Sequence, residues 1–296
     1  MADESGQSAA ERTAIAAFGR RLGPDVLAGV HTLYAAEQWA WSDGQPVAAA
    51  DLAYGSHPRQ RLDLYAPMDA DAAAPVLLWV HGGGFLRGEK SSPDHPFNAH
   101  VGRWAARHGM LGAVINYRLA PEATWPAGGE DVGLALDWLR DHAAAHGGDP
   151  TRLIAVGTSA GAVHVATMLR LRGGTSAGLR GTVLLSGLYG FTPLEERDTL
   201  YYGAQASYAE RAPTETVIET TTPLLLVGAE LDPPRFQTEL ANLLTARLAW
   251  HDRLPPAMVV GGHNHFSLAY HLGGSDMRLS RAILDFIGTH CSGLPG

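Results

Sequence analysis

Ser159 sits in the pentapeptide GTSAG, residues 157–161, between the apolar stretch RLIAV and the helix-like stretch AVHVATMLRL. A Gly-x-Ser-x-Gly between a strand and a helix has the form of a nucleophile elbow, a turn so tight that bulky neighbours would collide. Gly157, Ala160 and Gly161 have a steric reason to be small. A serine hydroxyl is a weak nucleophile at neutral pH, so it needs a base, and the base needs an orienting carboxylate. Behind an elbow the chain order is serine, acid, histidine. Downstream, the strand-like PLLLVG runs into AELDPP, with Glu230 and Asp232, and AMVVGG runs into HNHFS, with His263 and His265. Asp232 has more reach from the loop than Glu230, which lies nearer the strand, where side chains alternate in direction. His265 is favoured over His263 because the following Phe266 can pack beneath the loop and fix the imidazole. The expected catalytic set is Ser159, Asp232 and His265, each at the end of a different strand.

Acyl transfer also needs donors for the oxyanion of its tetrahedral intermediate. The stretch PVLLWV ends in His81-Gly82-Gly83-Gly84-Phe85. Glycines let backbone approach a reacting carbonyl, so the expected oxyanion hole is made by the N–H groups of Gly83, Gly84 and Ala160. His81 is read as a brace for this loop. Residues 83–88 have Walker-like spacing, but Glu89 stands where a lysine is required. No Gly-x-Gly-x-x-Gly opens a helix after the first strand, so no dinucleotide site is expected. His-Asn-His at 263–265 lacks accompanying ligand spacing, so no metal is expected either. Phe85 and Leu86, with Tyr189, Phe191, Tyr201 and Tyr202 further on, are the expected pocket wall.

The elements that must position these residues follow from periodicity. Strand-like runs occur at 48–54, 60–65, 75–80, 111–116, 152–157, 182–186, 223–228 and 257–261. The later ones are continuously apolar, as parallel strands covered on both faces are. Helical patterns lie at 11–22, 24–40 and in EDVGLALDWLRDHAAAH, and begin near Ala160, Arg235 and Ser275. This alternation predicts an α/β fold with a mostly parallel central sheet flanked by helices. Residues 188–215 interrupt it where a crossover helix is due. They are read as a cap insertion working with N-terminal helices in residues 1–45, all within one domain spanning 1–296.

Composition narrows the partners. The formal net charge of -8 argues against a nucleic-acid partner. The apolar runs are too short to span a bilayer. The acidic start MADESGQSAAER lacks the apolar core of a signal peptide, and the single Cys291 allows no intrachain disulfide; both fit a cytoplasmic protein. The expected partner is a small molecule.

HGGGF at 81–85, NYRLAPE at 116–122, GTSAG at 157–161, LDPP at 231–234 and HNHF at 263–266 together resemble the α/β-hydrolase carboxylesterases. The resemblance covers residues 47–290 and is strongest to the hormone-sensitive-lipase-like and kynurenine-formamidase-like branches. It implies the α/β-hydrolase fold and a cofactor-free serine carboxylesterase acting on short- to medium-chain or aromatic esters, with arylformamidase or amidase activity as the alternative. It also implies structural roles for Asp131 and for an Arg118–Glu122 brace. The histidine loop Asn264-His265-Phe266-Ser267 is more similar to the formamidase-like and feruloyl-esterase-like branch.

Overall fold

A computed structural model describes residues 6–42, 44–67 and 73–291. Eight strands, β1 (Ala49–Ala53), β2 (Arg61–Tyr65), β3 (Ala74–Val80), β4 (Leu111–Ile115), β5 (Gly148–Thr158), β6 (Leu179–Leu185), β7 (Leu224–Leu231) and β8 (Ala257–Asn264), form one sheet ordered β1-β2-β4-β3-β5-β6-β7-β8. β2 runs antiparallel to both its neighbours. The pairs from β4 to β8 are parallel. Leu77, Leu78, Trp79 and Val80 of β3 are almost wholly buried, as the unbroken apolar run requires of a strand covered on both faces.

Two apolar layers sandwich the sheet. One includes Leu78 and Ala155 with Leu136 of α4 (Ala127–His142), Val165 of α5 (Ala160–Leu171) and Leu243 of α9 (Pro234–His251). The other includes Trp79 and Val156 with Trp104 of α3 (Ala99–Arg107) and Ile283 of α11 (Arg278–Cys291). α3 is absent from the sequence reading: its AHVGRWAAR is short and mixed, and its N-cap Asn98 makes no side-chain cap. Cys291 ends α11 as a buried free thiol.

The N-terminal helices are α1 (Ala9–Phe18), begun by a Ser8–Glu11 capping box, and α2 (Pro24–Ala40), begun by a proline in its first turn. Ile15, Val26, Val30 and Tyr34 from them pack with Phe97 against Leu231, Phe266 and Tyr270, beside the last strand and α10 (Ser267–Tyr270). Residues 188–215 form short helical pieces, including α6 (Thr199–Tyr202) and α7 (Tyr208–Arg211), followed by α8 (Thr214–Glu219). The N-terminal helices thus pack beside the ends of β7 and β8, and Tyr201, Tyr202 and Tyr208 pack with Phe85 and Ala160, past the ends of β3 and β5. Among the described residues no helix is long and apolar enough to cross a membrane.

Candidate active site

β5 delivers Ser159 with φ 53° and ψ −120°, a conformation L-residues rarely adopt. Sterics around it explain the pentapeptide. A methyl group on Gly157 would strike the backbone of Gly161, and one on Gly161 would strike the carbonyls of Val80 and His81. Ser159 N–H donates to Leu185 O at 2.8 Å, tying the elbow to β6. Ser159 is partly exposed, while His265 and Asp232 are buried.

The structure brings the three expected residues into one chain. Ser159 Oγ lies 2.9 Å from His265 Nε2, and His265 Nδ1 lies 2.8 Å from Asp232 Oδ1. A carboxylate only accepts, so Nδ1 carries the imidazole proton and Nε2 is left to accept from the serine hydroxyl. Asp232 Oδ2 accepts from Ala229 N–H at 2.8 Å and from the Ser186 hydroxyl at 2.6 Å. Ser186, at φ 46° just past β6, is a member that sequence reading missed. Its only signal was a hydroxyl after an apolar strand. Phe236 makes the nearer ring contact to His265, 4.3 Å between centroids against 5.8 Å for Phe266, which faces the N-terminal cluster.

The rejected alternatives have other partners. Glu230 Oε2 accepts from Gly262 N–H at 2.6 Å. His263 is buried against Ser267 Oγ at 3.0 Å and Asp276 Oδ2 at 3.2 Å. Its ring stacks on His271 at 3.8 Å. These two histidines and Asp276 are the one cluster with ligand-like proximity among the described residues. Asp276, however, also takes the Arg278 guanidinium through both carboxylate oxygens, and a cation is poorly received beside an arginine. The cluster instead braces the loop before His265: Ser267 Oγ accepts from Asn264 N–H, and Asn264 Oδ1 accepts from Ser267 N–H, each at 2.9 Å.

Beside the elbow, the loop after β3 turns sharply. Gly83, Gly84 and Phe85 have φ of 132°, 60° and 69°. A side chain on Gly83 would run into Arg87 O. A methyl on Gly82 would stand 3.3 Å from Ser159 Cβ, so loop and Ser159 are neighbours. Among the described residues the N–H groups of Gly83, Gly84 and Ala160 have no hydrogen-bond acceptor. His81 is a buried brace, Nδ1 2.6 Å from Gly82 O and its ring stacked on Tyr117 at 4.3 Å. Burial lowers its pKa to about 4, which keeps it neutral.

Phe85 stacks on Tyr201 at 4.5 Å and 6°, within a cluster that includes Ala160, Tyr202, Tyr208 and Phe236, with Leu86 packed against it. Tyr189 and Phe191 belong instead to the core under α8 and α9, where Tyr189 N–H donates to buried Glu239. The structure places Leu188 in the Phe85 cluster but not Tyr189 and Phe191, because buried Glu239 accepts from the N–H groups of Tyr189 and Thr192 and holds that stretch against the other core. Arg118 pairs with Glu130 and Asp131 at 2.9 and 2.8 Å rather than with Glu122. Cavities of about 290 Å³ beside Arg118 and Glu130, and about 400 Å³ beside Arg140 and Pro150, touch none of Ser159, Asp232 or His265.

The chain is similar to known proteins over part or nearly all of its length. The BD-FAE family model matches residues 62–187, which include the glycine loop and the elbow. The rice protein named "Probable isoprenylcysteine alpha-carbonyl methylesterase ICMEL1" (Oryza sativa subsp. japonica) is 40% identical over 115 residues, 39% of this chain and 26% of the relative. "Probable carboxylic ester hydrolase LipM" of Mycobacterium tuberculosis is 36% identical over 124 residues, 41% of this chain and 28% of the relative. The matches thus span only about a quarter of these relatives' length. Among solved structures, "Bacterial Heroin Esterase" superposes with a TM-score of 0.69 at 24% identity, over 96% of this chain and 98% of that one. These likenesses bear out the resemblance to α/β-hydrolase carboxylesterases read from the motifs. The chain has the α/β-hydrolase fold.

Proposed function

We propose that this protein is a serine carboxylesterase acting on short- to medium-chain or aromatic esters, with Ser159, His265 and Asp232 as its catalytic triad. The observation that carries the reading is the unbroken hydrogen-bond chain from Ser159 Oγ through His265 to Asp232, beside three unclaimed backbone N–H groups. In this reading the ester carbonyl oxygen lies among the N–H groups of Gly83, Gly84 and Ala160. His265 Nε2 takes the serine proton as Oγ attacks the carbonyl carbon, and Asp232 stabilises the imidazolium that results. The tetrahedral intermediate collapses, and His265 returns the proton to the departing alkoxide. Water, activated by the same histidine, then hydrolyses the acyl-enzyme. The buried aromatic cluster around Phe85 and Tyr201 supplies apolar surface beside the nucleophile. The reading takes the chain as one hydrolase domain capped by α1, α2 and residues 188–215, and an acidic chain with one buried thiol suits the cytoplasm. The relatives named above are ester hydrolases by title, and nothing comparable supports the formamidase alternative.

The test is turnover of p-nitrophenyl acetate and butyrate. Ser159→Ala and His265→Ala should each lower kcat by roughly 10³-fold or more, while His263→Ala should leave a folded, slower enzyme. Substantial turnover by Ser159→Ala defeats the assignment; loss through His263 with retention in His265→Ala exchanges the histidines.

A further inference from the structure

The cap carries a guanidinium at the rim of the oxyanion loop. A methyl group built on Gly84 would stand 3.0 Å from Arg197 Cζ and 3.2 and 3.3 Å from its two terminal nitrogens. The carbon is nearest and the two nitrogens are almost equally near, so the flat face of the guanidinium covers Gly84. Its N–H groups lie in that plane and therefore point sideways, across the loop rather than into it. Arg197 is exposed and, among the described residues, makes no hydrogen bond or ion pair through its side chain.

Two of the three acids in the turn that carries Arg197 are committed elsewhere. Asp198 holds Arg235 at 2.6 Å, and Glu195 lies 3.6 Å from the same guanidinium. Glu195 and Asp198 also cap each other's backbone across one short turn. Glu196, the remaining acid of that turn, is exposed and forms no ion pair among the described residues. Arg87, on the same loop as Gly84, is a second exposed arginine outside every ion pair among the described residues. Arg197 and Arg87 are thus exposed cations beside the glycine loop that no described carboxylate pairs with. An arginine left without a carboxylate, its fork edge free and its face resting on backbone that would bind the reacting carbonyl, is placed to meet a planar anion.

Building on the esterase reading, we propose that Arg197 binds a carboxylate of the substrate, so that the preferred esters are anionic: half-esters of dicarboxylic acids, or esters of carboxylated alcohols. Gly84 lets the guanidinium lie this close, because a side chain there would crowd it by a few tenths of an ångström. The two substrate sources differ only in which side of the ester bears the charge, and the assay separates them.

The experiment compares kcat/KM within two matched pairs, net of the rate with Ser159→Ala, which subtracts spontaneous hydrolysis. The first pair is p-nitrophenyl pentanoate and the p-nitrophenyl half-ester of glutaric acid, in which a carboxylate replaces the terminal methyl. The second is phenyl butyrate and m-carboxyphenyl butyrate. In wild type at low salt, the anionic member of one pair should equal or exceed its neutral partner. Arg197→Ala should lower that anionic rate about tenfold, the lower range for a charge-assisted hydrogen bond at an exposed site, and leave the neutral rate within about twofold. Arg197→Lys should recover part of the loss, since the charge returns without the planar fork. Added salt should shrink the wild-type preference. An equal fall of both members in Arg197→Ala marks a merely structural arginine and overturns the proposal, as does an anionic rate unchanged in both pairs. Absence of Ser159-dependent turnover with either neutral ester defeats the esterase reading itself, and the proposal with it.

Discussion

Mild acid should destabilise this protein through its interior histidines. His81, His100 and His164 are at most 2% exposed. Burial is the first cause in each case, lowering their pKa to about 4, 3 and 3. Unfolded, each titrates near 6.5. Between these values the unfolded chain binds protons that the native state refuses, so stability is complete above 6.5 and drains away as pH falls toward the native pKa. One unit below 6.5, each histidine costs the native state about 1.4 kcal/mol, or about 4 kcal/mol for the three. Against a total of roughly 5–15 kcal/mol that is a large fraction. His31, brought to about 4 chiefly by burial, adds to the same side. The lowered carboxylates Asp137 and Asp149 stay ionised there and contribute only in stronger acid. Urea unfolding followed by tryptophan fluorescence at about pH 7.5 and about pH 5.5 measures the difference directly. His100→Phe, set among Phe97 and Tyr270, should remove about 1.4 kcal/mol, at most about one quarter of the pH-dependent part, whatever it does to the baseline. A stability indifferent to pH across that interval would refute the reasoning, as would an undiminished slope in the variant.

Two further outcomes follow from the site. Ser186→Ala removes the 2.6 Å donor to Asp232 Oδ2 and should lower kcat about tenfold, with KM for p-nitrophenyl butyrate little changed; steady-state kinetics check both parameters. Gly161→Ala drives a methyl into the carbonyls of Val80 and His81 and should destabilise by more than about 3 kcal/mol, seen as loss of soluble protein or of its unfolding midpoint.

Much of this was legible in the chain because it rests on local rules. All eight strands lie where apolar runs place them, and Ser159, Asp232 and His265 meet because each directly follows a strand of one parallel sheet. What escaped depends on contacts between distant segments. Phe236 holds the imidazole more closely than Phe266, yet nothing in Pro233-Pro234-Arg235-Phe236 says that α9 starts by turning its first aromatic toward β8. Arg118 finds Asp131, 13 residues on, rather than nearby Glu122, because α4 brings a buried carboxylate to it. Tyr189 and Phe191 have pocket-like identities, but Glu239 captures the backbone around them at 2.7 Å and turns them into the core. Ser186 carries no pattern; only its left-handed backbone and the return of the chain at β7 give it Asp232 as a partner.

The contact between Gly161 and Val80 O makes the sheet itself a ruler. Val80 pairs with Gly157 across the β3–β5 ladder. The strand that ends in the glycine loop and the strand that ends in Ser159 are therefore held about 4.8 Å apart by backbone hydrogen bonds. No side chain sets that interval, and thermal motion of either strand carries both ends together. The span from Ser159 to the N–H groups of Gly83 and Gly84 is thus a gauge that sequence drift in residues 188–215 can leave untouched, while Arg197 and its neighbours are free to vary.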